Sequence, residues 1–120
     1  ATLVQAVVRE PVLKVDSPGE GGRNSHLCLL LAKAIRGMKG VHFLAAGSDG
    51  VDGNSSLAGG IVSGESWDNA LSADVDPFQG LATFNSAKVL RTIGAAVTTG
   101  PTGTNLTDLH LLWVEPDSQG

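Results

Sequence analysis

The sequence predicts an α/β fold, with a layered α/β/α architecture and a mixed, mostly parallel sheet. Short apolar segments typical of strands alternate along the chain with amphipathic helical patterns, which is the element order of layered α/β domains. Polar, glycine-rich loops follow the predicted strands, where open α/β sheets bind their ligands. The 120 residues, of which 42% are hydrophobic and 17% charged, are enough for one core. We therefore expect residues 1–120 to form a single domain.

Five strands are predicted from short apolar or β-branched segments bounded by turn residues. The segment at residues 41–46 is apolar on both sides of the pleat apart from His42, which suits a strand buried beneath helices. Residues 57–63 are ambiguous between helix and strand. The predicted strands are residues 3–8, 12–15, 41–46, 95–98 and 106–114.

The longest predicted helix covers residues 25–38, where apolar side chains recur with helical spacing. Asn24 or Ser25 can cap its first turn. We expect its buried face to contain Leu27, Leu31 and Ile35. Two or three shorter helices are predicted within residues 65–73 and 77–93.

Composition excludes several classes of protein. The net charge of −4 and the scattered Lys and Arg residues argue against a nucleic-acid partner. The lone cysteine, Cys28, excludes an internal disulfide and indicates a packing residue in a reducing, cytoplasmic environment. No apolar stretch is long enough to span a membrane, and the first residues lack the features of a signal peptide. Because the sequence starts at Ala1, we expect a processed or excised piece of a longer chain.

The loop GEGGRNS, residues 19–25, precedes the longest predicted helix and could bind an anion. Backbone amides at a helix N-terminus favour negative charge, and Gly21 and Gly22 would let a ligand approach closely. The fork of N–H groups on Arg23 can hold a carboxylate or phosphate through two parallel hydrogen bonds. An ordinary flexible turn with a surface arginine explains the same residues, so this loop alone leaves both interpretations open.

Two further loops carry groups that bind phosphate or metal. In GSDGVDG, residues 47–53, Asp49 and Asp52 follow a strand and could hold Mg²⁺ or act as a base. Turn-forming Asp-Gly pairs explain this loop equally well. The loop TGPTGTN, residues 99–105, offers hydroxyl groups to phosphate oxygens. P-loop, dinucleotide-binding and G-x-S-x-G patterns are absent, as is Cys/His metal spacing. The three histidines are expected to be structural, although His26 lies close to Arg23.

In this order, GGRN, GSDGVDG and TGPTGTNLTDLHLLWV resemble the MOFRL domain. This is the C-terminal domain of type II glycerate 2-kinases, some of which carry the older name hydroxypyruvate reductase. The resemblance spans about residues 18–114. The chain departs from the family pattern at Ser25 and His26, where Gln and Glu are usual, at Ser48 and Leu106, and at Asn85-Ser86, where the segment lacks its acid.

The resemblance implies a kinase that transfers a phosphoryl group from ATP, with Mg²⁺, to the 2-hydroxyl of D-glycerate, giving 2-phosphoglycerate. Reaction would take place in a cleft shared with an N-terminal domain that carries a catalytic lysine and is missing from this chain. The implied catalytic residues are Arg23, Asp49 and Asp52, with Asp49 as the metal ligand. The implied substrate- and phosphate-binding residues are Gly21, Gly22, Asn24, Ser48, Thr102, Thr104 and Asn105.

Other functions are compatible with the same sequence. A freestanding binding or assembly module could keep this fold without catalysis. The sequence is also compatible with a homo-oligomer. An oxidoreductase is suggested only by the older family name and is disfavoured by the missing dinucleotide-binding pattern. We expect the isolated chain to fold but to be inactive as a kinase, since half of a cleft does not exclude water or align the two reactants.

Overall fold

The computed structural model describes residues 2–6, 19–103 and 107–116, and for residues 2–6 the backbone alone. The strand expected at 12–15 lies outside these residues. The expected alternation of strands and helices is confirmed, and the ambiguous segment at 57–63 contains a strand. The elements are β1 Thr2–Ala6, α1 Arg23–Ala34, β2 Val41–Gly47, β3 Gly59–Ser63, α2 Ser66–Ser72, α3 Pro77–Ala82, α4 Ser86–Thr92, β4 Ala96–Val97 and β5 Asp108–Val114.

The five strands form one sheet in the order β1-β5-β2-β3-β4. Every neighbouring pair is antiparallel, so the expectation of a mostly parallel sheet is wrong. Parallel neighbours need a crossover connection, whereas β2 and β3 are joined by the glycine loop of residues 48–58. The last strand, β5, lies between β1 and β2 and runs antiparallel to both. The α/β class itself is confirmed.

The described helices pack on one face of this sheet, around α1. Helix α1 contacts both β2 and β3 as well as the other three helices. Phe43 and Val62 are directly opposite each other on this face and are almost completely buried. The described part of the chain therefore forms two layers, where the sequence predicted helices on both sides of the sheet. Within it, no helix is long and apolar enough to cross a membrane.

Helix α1 is rotated relative to the expected burial pattern. Cys28, Leu29 and Ala32 are fully buried and Ile35 is nearly so. The expected residues Leu27 and Leu31 are only half-buried and pack against the edge of the core. Apolar side chains occupy every position from 27 to 32, so the sequence pattern does not show which face of α1 is buried. Ser25 begins no helix here, because α1 starts two residues earlier, at Arg23.

Cys28 has the packing role that the sequence predicts. Its Sγ donates to the carbonyl oxygen of Gly60 at 3.0 Å, where α1 crosses the sheet. Burial raises the pKa of the Cys28 thiol to about 12, so the thiolate is not populated near neutral pH. Cys28 is therefore unreactive while the domain is folded.

Candidate functional site

The three glycine-rich loops meet at one end of the sheet, which we call the loop end. The amide of Gly21 donates to the side-chain oxygen of Asn54 at 2.8 Å, joining the first loop to the second. Thr102 donates through its amide to Asp49 O at 3.1 Å and through its hydroxyl to Ser48 O at 2.6 Å, joining the second loop to the third. Loops that are far apart in sequence thus form one polar surface beside the N-terminus of α1.

Glycine is required in these loops because their backbones touch one another. A Cβ atom on Gly22 would lie 2.5 Å from the backbone nitrogen of Gly53. Gly50 has a φ of +80°, and a Cβ there would lie 2.0 Å from the carbonyl oxygen of Gly100. The glycines therefore serve loop-to-loop packing, in addition to any approach by a ligand at Gly21 or Gly22.

The N-terminus of α1 already holds an anion from the protein itself, the carboxylate of Asp52. Its Oδ1 accepts from the Asn24 amide at 3.0 Å, and its Oδ2 accepts from the Ser25 amide at 2.7 Å and from the Ser25 hydroxyl. Asp52 is 1% exposed. The structure thus gives Asp52 a capping role, which differs from the contact with Mg²⁺ or substrate that was expected of it. Ser25 contributes to this cap through its hydroxyl.

Arg23 lies beside this cap and is anchored by Asp108, the first residue of β5. Its Nε and Nη2 donate to the two carboxylate oxygens of Asp108. The side chain of Asp108 is 2% exposed, whereas that of Arg23 is 36% exposed. A buried carboxylate thus holds two donors of the Arg23 guanidinium group, and the Arg23 side chain as a whole is partly exposed. This geometry fixes the orientation of Arg23 at the loop end.

Asn24 extends the cluster from Asp108 to His110. Its Nδ2 donates to Asp108 Oδ1 at 3.1 Å, and its Oδ1 lies 3.3 Å from His110 Nε2. Because this oxygen can only accept, His110 Nε2 carries the proton in this contact. Asn24 is 1% exposed, so it connects the cluster from within and does not present its amide to a ligand.

The charges in this cluster shift two pKa values. Burial raises the pKa of Asp108, but hydrogen bonds from Arg23 and Asn24 and the charge of Arg23 hold it below its ordinary value. Burial lowers the pKa of His110, and the neighbouring Asp108 charge offsets this only in part. Asp108 is therefore ionised and His110 neutral at pH 7, which leaves the buried pair Arg23–Asp108 electrically balanced.

Sequence reasoning missed Asp108 and took His110 only as a structural residue. A signal was present: both are polar residues in a segment that otherwise reads as an apolar strand. They are two positions apart, so they point to the same side of the sheet. That side is the one covered by α1, since His110 is directly opposite the buried Ala45. Two polar residues in a buried row require partners, and Arg23 and Asn24 are those partners.

The remaining predicted site residues lie on the rim of the loop end. Asp49 is half-buried, and its Oδ1 accepts from the amide of Val51 at 3.1 Å. Ser48 accepts through Oγ from the amide of Thr107 at 3.0 Å, and Thr102 is exposed. Thr104 and Asn105 lie outside the described residues. Asp49 is thus the predicted carboxylate that remains at the surface of the site.

The carboxylates at the loop end could coordinate a magnesium ion only together with ligands from a substrate. Across the parts of the chain that the structure describes, no three His, Cys, Asp or Glu side chains are grouped to hold a metal. Mg²⁺ in kinases is commonly held by one or two carboxylates and by substrate phosphates, so a single carboxylate at the rim fits that mode. Asp49 has this position, with one oxygen engaged by Val51.

His26, which departs from the family pattern, is directed into the protein and away from the loop surface. Its ring stacks on Phe84 with centroids 4.5 Å apart, and it is 8% exposed. Its Nδ1 is buried without a hydrogen-bond partner among the described residues, and burial lowers its pKa. His26 therefore acts as a neutral packing residue between α1 and the segment before α4.

The described part of the chain gathers an anchored arginine, a rim carboxylate and hydroxyl groups at one end of the sheet, and groups of these types suit contacts with a small anion. Residues 4–108 match the sequence profile of the MOFRL family, and the chain belongs to this family. The resemblance drawn from the three loops is confirmed.

The chain is similar to several longer proteins. It is 44% identical over 100 residues to the D-glycerate 2-kinase of Thermotoga maritima, covering 83% of this chain and 24% of that one. A protein of Agrobacterium vitis, named provisionally as a hydroxypyruvate reductase, is 36% identical, with coverage of 80% and 22%. The crystal structure of a Thermotoga maritima glycerate kinase matches with a TM-score of 0.83 and 41% identity, over 87% of this chain and 25% of that one. The chain spans about a quarter of these relatives' length.

Proposed function

We propose that this chain is the anion-binding domain of a D-glycerate 2-kinase, and that Arg23 makes its principal contact with the reactants. The observation that carries this proposal is the Arg23–Asp108 pair. The Arg23 guanidinium group is held by a buried carboxylate, and the Arg23 side chain as a whole is 36% exposed at the point where three loops meet. The 44% identity to a protein named D-glycerate 2-kinase supports the choice of substrate.

Arg23 would act on negative charge in the substrate complex. Its guanidinium group could contact either the carboxylate of glycerate or the phosphoryl group in transfer, both of which are anions. Because Asp108 already fixes the side chain, little conformational entropy is lost when the anion binds. Phosphoryl transfer depends chiefly on positioning and charge neutralisation, and an immobilised arginine supplies both.

Asp52 and Asn24 would support Arg23 without touching the substrate. Asp52 caps the first turn of α1, from which Arg23 projects, and Asn24 donates to Asp108 Oδ1, the same oxygen that accepts from Arg23 Nη2. Gly21 and Gly22 keep the loop close enough to Gly53 for this cap to form. We therefore assign positioning roles to these residues and keep the ligand contacts for Arg23, Ser48, Thr102 and the rim.

ATP with Mg²⁺ would supply the phosphoryl group and neutralise part of its charge. Asp49 would contribute the protein's carboxylate to that ion, since it is half-buried at the rim and the phosphate oxygens can complete the coordination. In the transfer, the 2-hydroxyl oxygen of D-glycerate forms a bond to the terminal phosphorus of ATP and loses its proton, while the bond from that phosphorus to ADP breaks.

The name of the Agrobacterium vitis relative raises a second candidate, a hydroxypyruvate reductase. The glycines at positions 47, 50 and 53 do not have the G-x-G-x-x-G spacing that binds a dinucleotide, and the Cβ positions of Gly50 and Gly53 are filled by the other two loops. A freestanding module without catalysis remains the other alternative. Among the loop-end contacts that the structure describes, none favours either alternative over the kinase.

The proposal is tested on the longer protein whose gene encodes this chain. Purified protein is assayed for ATP-dependent formation of 2-phosphoglycerate from D-glycerate, with NADH and hydroxypyruvate as the competing pair. Arg23→Ala should lower kcat/KM by about 100- to 1000-fold, as removal of one fixed charge-stabilising donor does. Arg36→Ala is the matched control, since Arg36 pairs with exposed Asp68 and is itself 51% exposed. Equal activity of both variants would contradict the proposal.

A further inference from the structure

The face of the sheet opposite α1 is apolar and exposed among the described residues. In antiparallel pairs, directly opposed residues point to the same side, so the register defines this face. Leu44 is directly opposite both Ile61 and Leu111, and Ala46 is opposite Leu109. Ile61 is 43% exposed and Leu109 38%. We call this the open face, and its apolar members are Leu44, Ala46, Ile61, Leu109, Leu111 and Trp113.

The open face has the composition of a covered surface. Strand β2 presents Phe43 and Ala45 to α1 and presents Leu44 and Ala46 to the other side. A strand that is apolar on both sides is typical of sheets with a layer on each face. Contiguous apolar patches of this kind on a soluble domain mark interaction sites. The described helices cannot cover it, because they pack on the opposite face.

The side chains and the position of the open face separate it from the loop end. On β2, β3 and β5 the polar groups of this face are at the far end, where the His42 ring stacks on Trp113 at 5.1 Å and His42 Nε2 contacts Glu115 at 3.0 Å. The middle of these three strands carries only aliphatic side chains on this face, which favours an apolar partner, and the register places one polar residue, Gln5 of β1, opposite Leu111 at the edge of that stretch. A layer packed here leaves Arg23 and the rim accessible, because these lie beyond the other ends of β2 and β5.

We propose that the open face packs against an apolar helical layer that is supplied by the part of the longer protein outside these 120 residues. The relatives are about four times as long as the stretch that this chain matches, so most of their polypeptide lies outside it. Helices on both faces of the sheet complete the three-layer architecture that the sequence pattern predicts. The inference rests on the proposed function only in treating this chain as one part of a longer protein.

The test uses thiol labelling, because Cys28, the lone cysteine of these 120 residues, is fully buried and its pKa is raised by burial to about 12. Labelling is read by mass spectrometry on the peptide that carries the introduced cysteine, so cysteines elsewhere in the longer protein do not interfere. Ile61→Cys places a reporter on the open face. Leu71→Cys is the matched control, since Leu71 is 42% exposed and lies on α2, on the helical side. Each variant is made in the isolated chain and in the longer protein, and the rate of reaction with a maleimide is measured at low micromolar protein.

Both variants should react readily in the isolated chain. In the longer protein the rate at Ile61→Cys should fall by at least about tenfold, because a covered thiol reacts only through local opening, while Leu71→Cys stays reactive. Equal reactivity of the two in the longer protein overturns the proposal, as does equal protection of both. Protection of Ile61→Cys in the isolated chain also overturns the proposal. If that protection rises with protein concentration, a second copy of the chain covers the face. If it does not depend on concentration, residues 7–18 of the same chain cover the face. Labelling requires no turnover, so failure of the kinase assay does not affect it.

Discussion

Arg23 donates through Nε and Nη2 to both carboxylate oxygens of Asp108, 85 residues further along the chain. One partner is almost fully buried and the other is partly exposed. Burying the Asp108 carboxylate is unfavourable because the charge loses its hydration, and the contacts with its partners offset that loss. The ion pair is therefore weak evidence for stability. It serves to orient Arg23, and that role can be measured.

Asp108→Asn in the longer protein should lower kcat/KM for D-glycerate by about tenfold or more, because the guanidinium loses its charged anchor. Introduced into Arg23→Ala, the same substitution should have almost no further effect, since the two side chains act as one unit. Asp68→Asn, which removes the exposed partner of Arg36, is the control and should leave kinetics unchanged. Additive losses from Asp108→Asn and Arg23→Ala would show that Asp108 does not act through Arg23.

Arg23→Lys distinguishes the two anions that Arg23 could bind. Lysine keeps the positive charge, but its single ammonium group cannot donate to Asp108 and to a ligand in the planar arrangement that a guanidinium group provides. Activity should therefore remain impaired. A loss confined to KM indicates a contact with the glycerate carboxylate that is equal in ground and transition states. A loss in kcat as well indicates a contact with the phosphoryl group in transfer. Steady-state kinetics with varied D-glycerate give the answer, and full activity of the lysine variant would contradict the bidentate contact.

Asp52→Ala should destabilise the domain by about 2–4 kcal/mol, more than loss of an ordinary exposed cap. The substitution leaves the buried amides of Asn24 and Ser25 without acceptors at the positive end of α1. Asp49→Ala, in the same loop but half-buried, should cost less than about 1 kcal/mol. Urea denaturation of the isolated chain gives both free energies of unfolding. Similar values for the two variants would show that the Asp52 cap is dispensable.

Leu29→Ala should cost about 2–5 kcal/mol, the range for truncating a fully buried leucine. Its neighbour Leu30 provides a control of the same residue type in the same helix. Because Leu30 is 43% exposed, Leu30→Ala should change the free energy of unfolding by about 0.5 kcal/mol or less. The same denaturation experiment decides whether α1 packs through the face described above, and reversed values would place Leu30 in the core.

Stability should fall as the pH drops below about 6.5, the ordinary pKa of histidine. Burial lowers the pKa of His26 in the folded state, so the unfolded chain binds its proton first and unfolding is favoured through that range. His110 contributes in the same direction. His26→Phe should flatten the decline while keeping the stack on Phe84. Melting temperatures measured from pH 8 to pH 5 test this, and an unchanged slope in the variant would contradict it.

Asp108 is an acidic side chain, unlike the histidines, and its pKa is also lowered in the folded state. Its contribution to stability is present above the unfolded value of about 3.9 and is lost as the pH falls through the lower folded value. The histidine and Asp108 effects are therefore centred in separate pH ranges. The pKa of Glu20 is also lowered, chiefly by its hydrogen bond from Arg91, so the part of the decline that His26→Phe removes is the part that reports on His26.

The isolated 120-residue chain should form no 2-phosphoglycerate from ATP and D-glycerate. The loop end is open to water, and half of a cleft cannot align donor and acceptor. Product formation is measured by a coupled assay or by phosphorus NMR, with the longer protein as the positive control. Turnover by the isolated chain would show that its own residues complete the site.

Much of the local structure could be read from the sequence. The helical spacing of the leucines predicts α1, the apolar runs predict β2 and β5, and the short helices predicted within residues 65–73 and 77–93 are confirmed as α2, α3 and α4. The three glycine loops are distinctive enough in order and composition to identify the MOFRL family. These features depend on residues close together in the chain, and periodicity and turn chemistry record such local preferences directly.

Only the tertiary structure decided which residues of the loops face a ligand. Asp49 and Asp52 look equivalent in GSDGVDG, yet one lies at the rim and the other is buried under α1. Asp108 is a polar residue in an otherwise apolar strand, but only the placement of β5 beside β2 brings it to its partner Arg23. The antiparallel order of the strands was equally invisible. Pairings between residues 28 or 85 positions apart depend on how the whole chain closes, and no local preference encodes them.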